Sequence, residues 1–135
     1  MTAKASTPLN MATVLGDLPK VVSLLESGEV QKSDSQGWTP LMLAAQCGQN
    51  DIVRVLVDNN RAELNKKLYH IDYRGYTALL LAVENGHSAV VKILLKYGAA
   101  QDCNNDGWTP LISAAYNGHD NIVKDLLENE KNRSE

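Results

Sequence analysis

The chain has 135 residues, of which 44% are hydrophobic and 21% charged, a composition typical of a globular domain and not of a disordered segment. Its net charge of −3 and its pI near 5.6 exclude a broadly basic surface for nucleic acid. No apolar run approaches the length of a membrane span, and the first residues lack the apolar core of a signal peptide. Cys47 and Cys103 do not form a disulfide framework, so we expect reduced thiols in a cytoplasmic or nuclear protein.

The first predicted helix begins after Thr7, whose hydroxyl can accept a hydrogen bond from a backbone N–H one turn on. Pro8 fits the first turn, because no helical hydrogen bond needs an N–H there. Gly16 indicates a reversal into a second helix, and Gly28 indicates its end. Residues 1–5 carry no such signal, so we expect them to be frayed.

A second unit follows a turn at residues 34–37. Its apolar spacing predicts helices over about 40–47 and 50–58. Asn60 stands where the first unit has its last glycine. We expect it to adopt the same left-handed conformation, which Asn tolerates better than most residues.

The third unit, residues 72–100, has the clearest pattern. Thr77 can cap its first helix, Gly86 ends that helix, and Ser88 can start the next one. The second helix carries apolar residues on more than one stripe, so it must be buried on two sides. A unit this small cannot cover that surface alone and needs neighbours.

The neighbours repeat the same pattern. Thr39, Thr77 and Thr109 are 38 and 32 residues apart, and Thr7 precedes Thr39 by 32 residues. Each Thr starts a Thr-Pro-Leu or Thr-Ala-Leu motif and is followed, nine residues on, by a glycine: Gly16, Gly48, Gly86 and Gly118. A period near 33 with this motif and with paired helices resembles the ankyrin repeat.

The resemblance implies an all-α fold, a stack of helix-turn-helix repeats (a solenoid) with short β-turn fingers. We expect one domain over residues 6–130, followed by a polar tail at 131–135, and a complete four-repeat protein or domain. The approximate repeats are 6–33, 34–71, 72–103 and 104–130.

Polar residues indicate where the stack stops, because nothing covers the outer face of a terminal repeat. Lys20 is the one charged residue at its repeat position, and Ser113 and Asp125 make the last repeat polar at two positions. We expect these three side chains to face solvent. We also expect the last helix to dissolve into the polar residues 128–135.

The spacing of 38 places extra residues between the second and third repeats, at 66–71. This segment is too apolar for a solvated loop. Three outcomes stay open: it packs on neighbouring turns, contacts a partner, or pairs with a second copy of the chain. We expect Tyr69 and Ile71 to pack partly inward and Leu68 and His70 to stay accessible.

No residue pattern indicates catalysis, a metal or a cofactor. His87 and His119 follow a glycine at the helix reversal, where the ankyrin pattern also has His, so we expect structural roles. His70 stands alone, neither cysteine has a partner at ligand spacing, and the glycines recur at helix ends and not in a phosphate loop. We therefore expect a non-enzymatic protein without metal or cofactor.

The resemblance implies a protein-binding face made of turn tips and the exposed sides of the first helices. Trp38, Tyr76 and Trp108 precede Thr in their repeats, so stacking aligns them in a row. Such residues are typical of interface hot spots, although they can also pack on the next turn. The expected partner contacts are Gln36, Trp38, Gln46, Cys47, Tyr73, Arg74, Tyr76, Glu84, Asn85, Asn105, Asp106, Trp108, Tyr116 and Asn117, with Leu68, Tyr69 and His70 of the long turn as a further contact.

These residues predict a module that binds a protein partner, and neither nucleic acid nor a membrane. We expect a monomer, with a dimer through residues 66–71 as the alternative. A second interpretation is an inhibitory or regulatory subunit of an enzyme. A small ligand-binding protein or an enzyme is the third.

Asn65 is a candidate for hydroxylation, because Glu63-Leu64-Asn65 resembles the acidic–apolar–Asn context of ankyrin-like hydroxylase substrates. We predict that protein purified from eukaryotic cells carries one added oxygen on Asn65, detected by intact mass and peptide fragmentation. An Asn65→Ala variant made in the same cells should lack it. An Asn65 peptide without added oxygen would contradict this prediction.

Overall fold

The computed structural model describes residues 7–133, so the frayed segment predicted at 1–5 lies outside the described residues. Within residues 7–133 the backbone forms eight α-helices in four pairs, a short 3-10 helix at Arg61–Glu63 and two strands. The elements are α1 Pro8–Leu15, α2 Leu18–Glu26, α3 Pro40–Cys47, α4 Asn50–Asn59, β1 Leu68–His70, β2 Tyr73–Tyr76, α5 Ala78–Glu84, α6 Ser88–Lys96, α7 Pro110–Tyr116 and α8 Asp120–Arg133.

The helices lie in two layers. The first helices of the pairs pack one on the next in the order α1, α3, α5, α7, and the second helices pack likewise in the order α2, α4, α6, α8. Each first helix also packs on the second helix of its own pair. The prediction of an all-α stack of helix pairs is therefore confirmed, with one short β-hairpin as its finger.

The predicted threonine caps form in all four pairs. The hydroxyls of Thr7, Thr39, Thr77 and Thr109 each accept a hydrogen bond from the backbone N–H three residues on, at 3.0 to 3.2 Å. This satisfies an N–H that has no carbonyl partner in the first turn of a helix. The repeated Thr therefore fixes where each first helix begins.

Every reversal between paired helices has a left-handed glycine, and at Gly16, Gly48 and Gly86 a side chain of the next repeat approaches it closely. Gly48 is left-handed, with φ at 72°, and a Cβ there would lie 2.8 Å from Nδ1 of His87. Nε2 of His87 lies 2.9 Å from the carbonyl oxygen of Gln46, to which it donates its proton. His119 lies in the same way against Gly86, where a Cβ would come within 2.9 Å of the ring. The predicted structural role of both histidines is confirmed.

The second helices carry the centre of the core. Leu56, Leu94 and Leu126 occupy one repeat position and are all fully buried. The first helices add Leu9, Leu41 and Leu79, each no more than 1% exposed. These side chains join one continuous apolar cluster that crosses every repeat. At about 25 cal/mol per Å² of buried apolar surface, this cluster is the main source of stability.

The long turn folds as a β-hairpin. β1 pairs antiparallel with β2, with Leu68 opposite Tyr76 and His70 opposite Tyr73. The register shifts between Leu68 and Tyr69, and Gly75 is the extra residue on β2. Its φ is 75°, as expected for a glycine bulge. A Cβ on Gly75 would lie 2.8 Å from the backbone N of Asn105, so the hairpin also rests on the next turn.

The prediction of which residues of this turn point inward and which point outward is wrong for Leu68, Tyr69 and Ile71. Leu68, expected to be accessible, is fully buried, whereas Tyr69 and Ile71, expected to pack inward, are 71% and 77% exposed. His70 is half-buried. The reason is the strand alternation, which turns Tyr69 outward once Leu68 enters the core, and which leaves Ile71 at the tip. Leu68 shares a second apolar cluster with Trp38, Met42 and Leu81.

Asn60 does not take the predicted left-handed conformation. Its backbone is extended, with φ at −154°, and its side chain accepts a hydrogen bond from the N–H of Ala62, which caps the 3-10 helix. Leu64 then enters the main core. The neighbouring Asn65 is exposed, and its side-chain oxygen accepts a hydrogen bond from the N–H of Ala100 at 2.9 Å. The extra residues thus form a structured link.

The ends of the stack match the prediction in part. Lys20 is exposed, as expected. Ser113 is buried at 6%, and Asp125 is half-buried with one carboxylate oxygen shielded from solvent, so their predicted exposure is wrong. Asn117 lies against Ser113, because its side-chain amide donates to the Ser113 carbonyl at 2.8 Å and to the Ser113 hydroxyl oxygen at 3.4 Å. Helix α8 reaches Arg133 and does not dissolve after residue 128.

Leu94→Ala should lower the free energy of unfolding by about 2–5 kcal/mol, because the side chain is fully buried and leaves a cavity. The matched control is Leu15→Ala, since Leu15 is 77% exposed on a helix, and it should change stability by no more than about 0.5 kcal/mol. Urea melts of both variants measure the difference. Equal midpoints for the two would contradict the assigned core.

Leu68→Ala should lower the free energy of unfolding by roughly 2–5 kcal/mol, because the residue is fully buried beside Trp38. Ile71→Ala removes an apolar side chain that is 77% exposed in the same hairpin and should leave stability unchanged. Near-ultraviolet circular dichroism should report the altered Trp38 environment only in the first variant. If Ile71→Ala is the more destabilising change, the hairpin register is wrong.

Candidate functional site

The hairpin, the turns and the first helices form one face of the stack, where the expected partner contacts lie. The structure divides its aromatic residues into two groups. Tyr73 contacts Trp38 and Tyr76 edge to face, with ring centroids 5.2 and 5.3 Å apart. Trp108 makes a separate edge-to-face pair with Tyr116, at 5.1 Å. Each arrangement is a favoured geometry for aromatic rings.

Trp38 does not belong to an exposed row. Only 9% of its surface is accessible, and it packs on Leu68 and Tyr73 of the two hairpin strands. The alternative that an aromatic residue before Thr packs on the next turn therefore holds for Trp38. Trp108 has no following repeat within the described residues, and it is half-buried. The row of three is thus interrupted by tertiary packing.

Trp108 and Tyr116 line a groove between the third and fourth repeats, with a volume of about 240 Å³. We call it the Trp108 groove. It brings together six of the expected contact residues, two from the third repeat and four from the fourth: Tyr76, Glu84, Asp106, Trp108, Tyr116 and Asn117. The other lining residues are Leu80, Asn104 and Ser113.

The turn before Trp108 sets the position of its ring. The side-chain oxygen of Asn104 accepts hydrogen bonds from the N–H groups of Asp106 and Trp108, at 2.9 and 3.0 Å. Asp34 makes the same two bonds in the second repeat, to the N–H groups of Gln36 and Trp38. Such a side-chain turn holds the backbone rigid without a strand.

Tyr76 closes the other side of the groove. Its hydroxyl donates a hydrogen bond to a carboxylate oxygen of Glu84 at 3.2 Å. Burial, followed by the negative charge of Glu84 and this hydrogen bond, raises the pKa of Tyr76 to about 12. The phenol therefore stays protonated at neutral pH. Because Glu84 and Asp106 are the charged residues that line the groove, its potential is negative.

The remaining expected contacts are dispersed. Gln36, Arg74, Asn105 and Cys47 are exposed on the turns or the first helices, outside the groove. Burial raises the pKa of the Cys47 thiol, so it is not an activated nucleophile. Gln46, Asn85, Tyr73, Tyr69 and His70 also lie outside the groove.

Sequence reasoning missed three residues of the groove. Leu80 and Ser113 are almost fully buried on the first helices, and their spacing gives no sign that they floor a groove. Asn104 had a detectable signal, because it stands three residues before Gly107 as Asp34 does before Gly37. An Asx residue at that point is typical of a tight turn.

Among the described residues, no cluster of three or more His, Cys, Asp or Glu side chains could hold a metal ion. Both cysteines are unpaired and exposed. No helix within residues 7–133 combines the length and the apolar character needed to cross a membrane. The arrangement offers aromatic surface, amides and two carboxylates, which suit binding.

Comparison with known proteins agrees with the architecture. A family model of ankyrin repeats in three copies matches residues 1–68 and again residues 62–134. A similar protein is the ankyrin repeat, SAM and basic leucine zipper domain-containing protein 1 of Equus caballus, 50% identical over 48 residues. Its counterparts in Mustela putorius furo and Colobus guereza are 48% and 43% identical over 48 and 49 residues.

Each of these matches covers 35% or 36% of the chain and 10% of the relative, so the chain spans only a small part of these proteins. The family model, in contrast, covers nearly the whole chain. Together with the capped helix pairs and the two-layer stack, it shows that this chain belongs to the ankyrin-repeat family.

Proposed function

We propose that the chain is a protein-binding module that holds its partner at the Trp108 groove and the adjoining turns. The observation that carries this proposal is the edge-to-face pair of Trp108 and Tyr116, of which Tyr116 is 77% exposed. An aromatic residue so exposed on a protein with few aromatics is typical of an interface hot spot. Ankyrin repeats indicate an interaction module of this kind.

The chemistry of the groove favours a cationic side chain of the partner. Glu84 and Asp106 supply negative charge, and the faces of Trp108 and Tyr116 attract a guanidinium or an ammonium group. Asn117 and Asn104 add amide groups that can bond a peptide backbone. We infer that an Arg or Lys of the partner enters the groove.

Two alternatives have less support. The groove volume of about 240 Å³ lies below the roughly 300–1,000 Å³ typical of small-molecule sites, which weighs against the Trp108 groove as a site for a small ligand or substrate. An inhibitory or regulatory subunit of an enzyme uses the same surface, and its partner is then the enzyme. The ankyrin-repeat family is generally non-enzymatic.

The cysteines and the exposed surfaces bear on the compartment and the oligomeric state of the module. Two free thiols support a reducing compartment, the cytoplasm or the nucleus. We infer a monomeric scaffold that binds neither nucleic acid nor a membrane. A dimer through residues 66–71 is the alternative, for which the exposed Tyr69 and Ile71 are the available apolar surface.

Replacing both Trp108 and Tyr116 with Ala should weaken partner capture by about 2 kcal/mol or more per hot-spot residue. Affinity capture from source lysate with parent and variant baits, quantified by mass spectrometry, gives the comparison. The helix content and the melting temperature should change little, because both side chains lie at the surface.

The matched control is Tyr69→Ala, which removes an exposed aromatic residue outside the groove and should capture the same partner as the parent. A double variant that retains the captured proteins while Tyr69→Ala loses them would move the interface to the hairpin. A double variant that unfolds would show that the aromatic pair serves the fold.

A further inference from the structure

A second groove lies in the other layer, between helices α4 and α6. Its volume is about 480 Å³, twice that of the Trp108 groove. Its residues come from the second helices, the cap after α6 and the 3-10 helix, and none of them belongs to a first helix. We call it the α4–α6 groove. It is lined by Arg54, Arg61, Ala89, Lys92, Ile93, Lys96 and Tyr97.

Four cations and no carboxylate line this groove. Lys92 and Lys96 are exposed and lie one turn apart on α6, and within residues 7–133 neither has a carboxylate within 4.0 Å. Arg54 pairs with Asp51 at 2.8 Å, an exposed ion pair that stabilises little. The groove therefore carries concentrated positive charge on a chain whose net charge is −3.

The apolar floor of the groove is held in place. The guanidinium of Arg61 lies over the ring of Tyr97, 5.1 Å from its centroid. The Tyr97 hydroxyl donates to Asp58 at 2.7 Å, which fixes the ring. Ile93 and Ala89 continue the floor along α6. This floor is large enough to receive an apolar side chain of a partner.

Two nearby carboxylates offset part of the positive charge, both on the α4 side of the groove. Asp51 and Asp58 are engaged on the α4 side by Arg54 and by Tyr97. Asp125 and Glu128 lie across α6, where they line a different cleft between α6 and α8. Lys92 and Lys96 border both clefts.

We propose that the α4–α6 groove binds an acidic peptide segment of a second protein partner. The carboxylates of the segment pair with Lys92 and Lys96, Arg54 and Arg61 add to the attraction, and an apolar side chain rests on Ile93 and Tyr97. Charge complementarity selects this occupant, because a patch of one sign attracts and orients a partner of the other. The floor favours a peptide, since a purely anionic ligand would leave it uncovered.

This surface is separate from the Trp108 groove and opposite to it in charge. One groove takes a cationic side chain between first helices, and the other takes an acidic segment between second helices. The protein can therefore hold two partners at once, which is a bridging role that goes beyond the single interface proposed above.

Fluorescence anisotropy tests this proposal with a fluorescein-labelled peptide, Glu-Asp-Glu-Leu-Leu-Asp-Glu-Glu, and the full chain. We expect saturable binding that weakens as NaCl is raised, because salt screens exposed charges. The same peptide with Gln and Asn in place of its acids should not bind. A neutral peptide that binds as well as the acidic one would overturn the proposal.

Lys92→Glu combined with Lys96→Glu should weaken binding of the acidic peptide by about tenfold or more, since two attractive charges become repulsive. Lys20→Glu combined with Lys32→Glu makes the same charge change at exposed lysines of the first repeat and should leave the affinity at most slightly reduced. The Trp108→Ala and Tyr116→Ala double variant should bind the peptide as the parent does, so failure of the first interface and failure of this one are distinguishable.

Three results would overturn the proposal. The first is no binding of the acidic peptide to the parent chain, with a normal melting curve. The second is an equal loss of affinity in the Lys92–Lys96 and Lys20–Lys32 double variants, which would show that the peptide responds only to the net charge of the chain. The third is binding of phosphatidylserine vesicles, poly-uridine RNA or a second copy of the chain through Lys92 and Lys96 while the peptide fails to bind.

Discussion

Every feature of this chain depends on one constraint: no helix pair can bury its own apolar surface. The second helix of the third repeat carries apolar residues on more than one stripe, and α5 covers only part of them, so their burial also needs α4 and α8 on its two sides. The threonines and glycines that recur in each repeat position the helices for this packing between repeats. Threonine caps fix the helix starts, and the glycine reversals leave room for a side chain of the next repeat, His87 against Gly48 and His119 against Gly86. Stability is then shared between neighbours in a nearly one-dimensional array.

The sequence predicted the parts of the fold that are set locally. The caps, the reversals and the buried second-helix leucines follow from residue type and spacing alone, and they are observed. The errors occur where register depends on tertiary contacts. Leu68 is buried because a bulge at Gly75 sets the hairpin pairing, and nothing in the residues themselves fixes that bulge. Trp38 is covered because the hairpin of the next repeat folds onto it, whereas Trp108 at the same position keeps an accessible edge.

The difference between the covered Trp38 and the partly accessible Trp108 also explains where the candidate site lies. The inserted hairpin covers Trp38 of the second repeat and leaves Trp108 and Tyr116 of the fourth repeat available at the Trp108 groove. The sequence indicated which residues lie on that face, but it did not indicate which of them share a groove. That depends on which turns and helices contact one another in the folded chain. The two grooves also separate charge, with Glu84 and Asp106 in one and four cations in the other. A chain with a small net charge thus presents two surfaces of opposite sign, and we propose that each binds its own class of partner.

Hydrogen–deuterium exchange of the free chain, read helix by helix, tests the central claim that each repeat is stabilised by its neighbours. Amide exchange rates report local opening free energies. The account predicts the slowest exchange in α3 to α6, which have a repeat on both sides, and faster exchange in α1, α2 and the end of α8. Equally slow exchange in the terminal helix pairs, or fast exchange in α5 and α6, would show that a single pair is stable alone and would contradict the account.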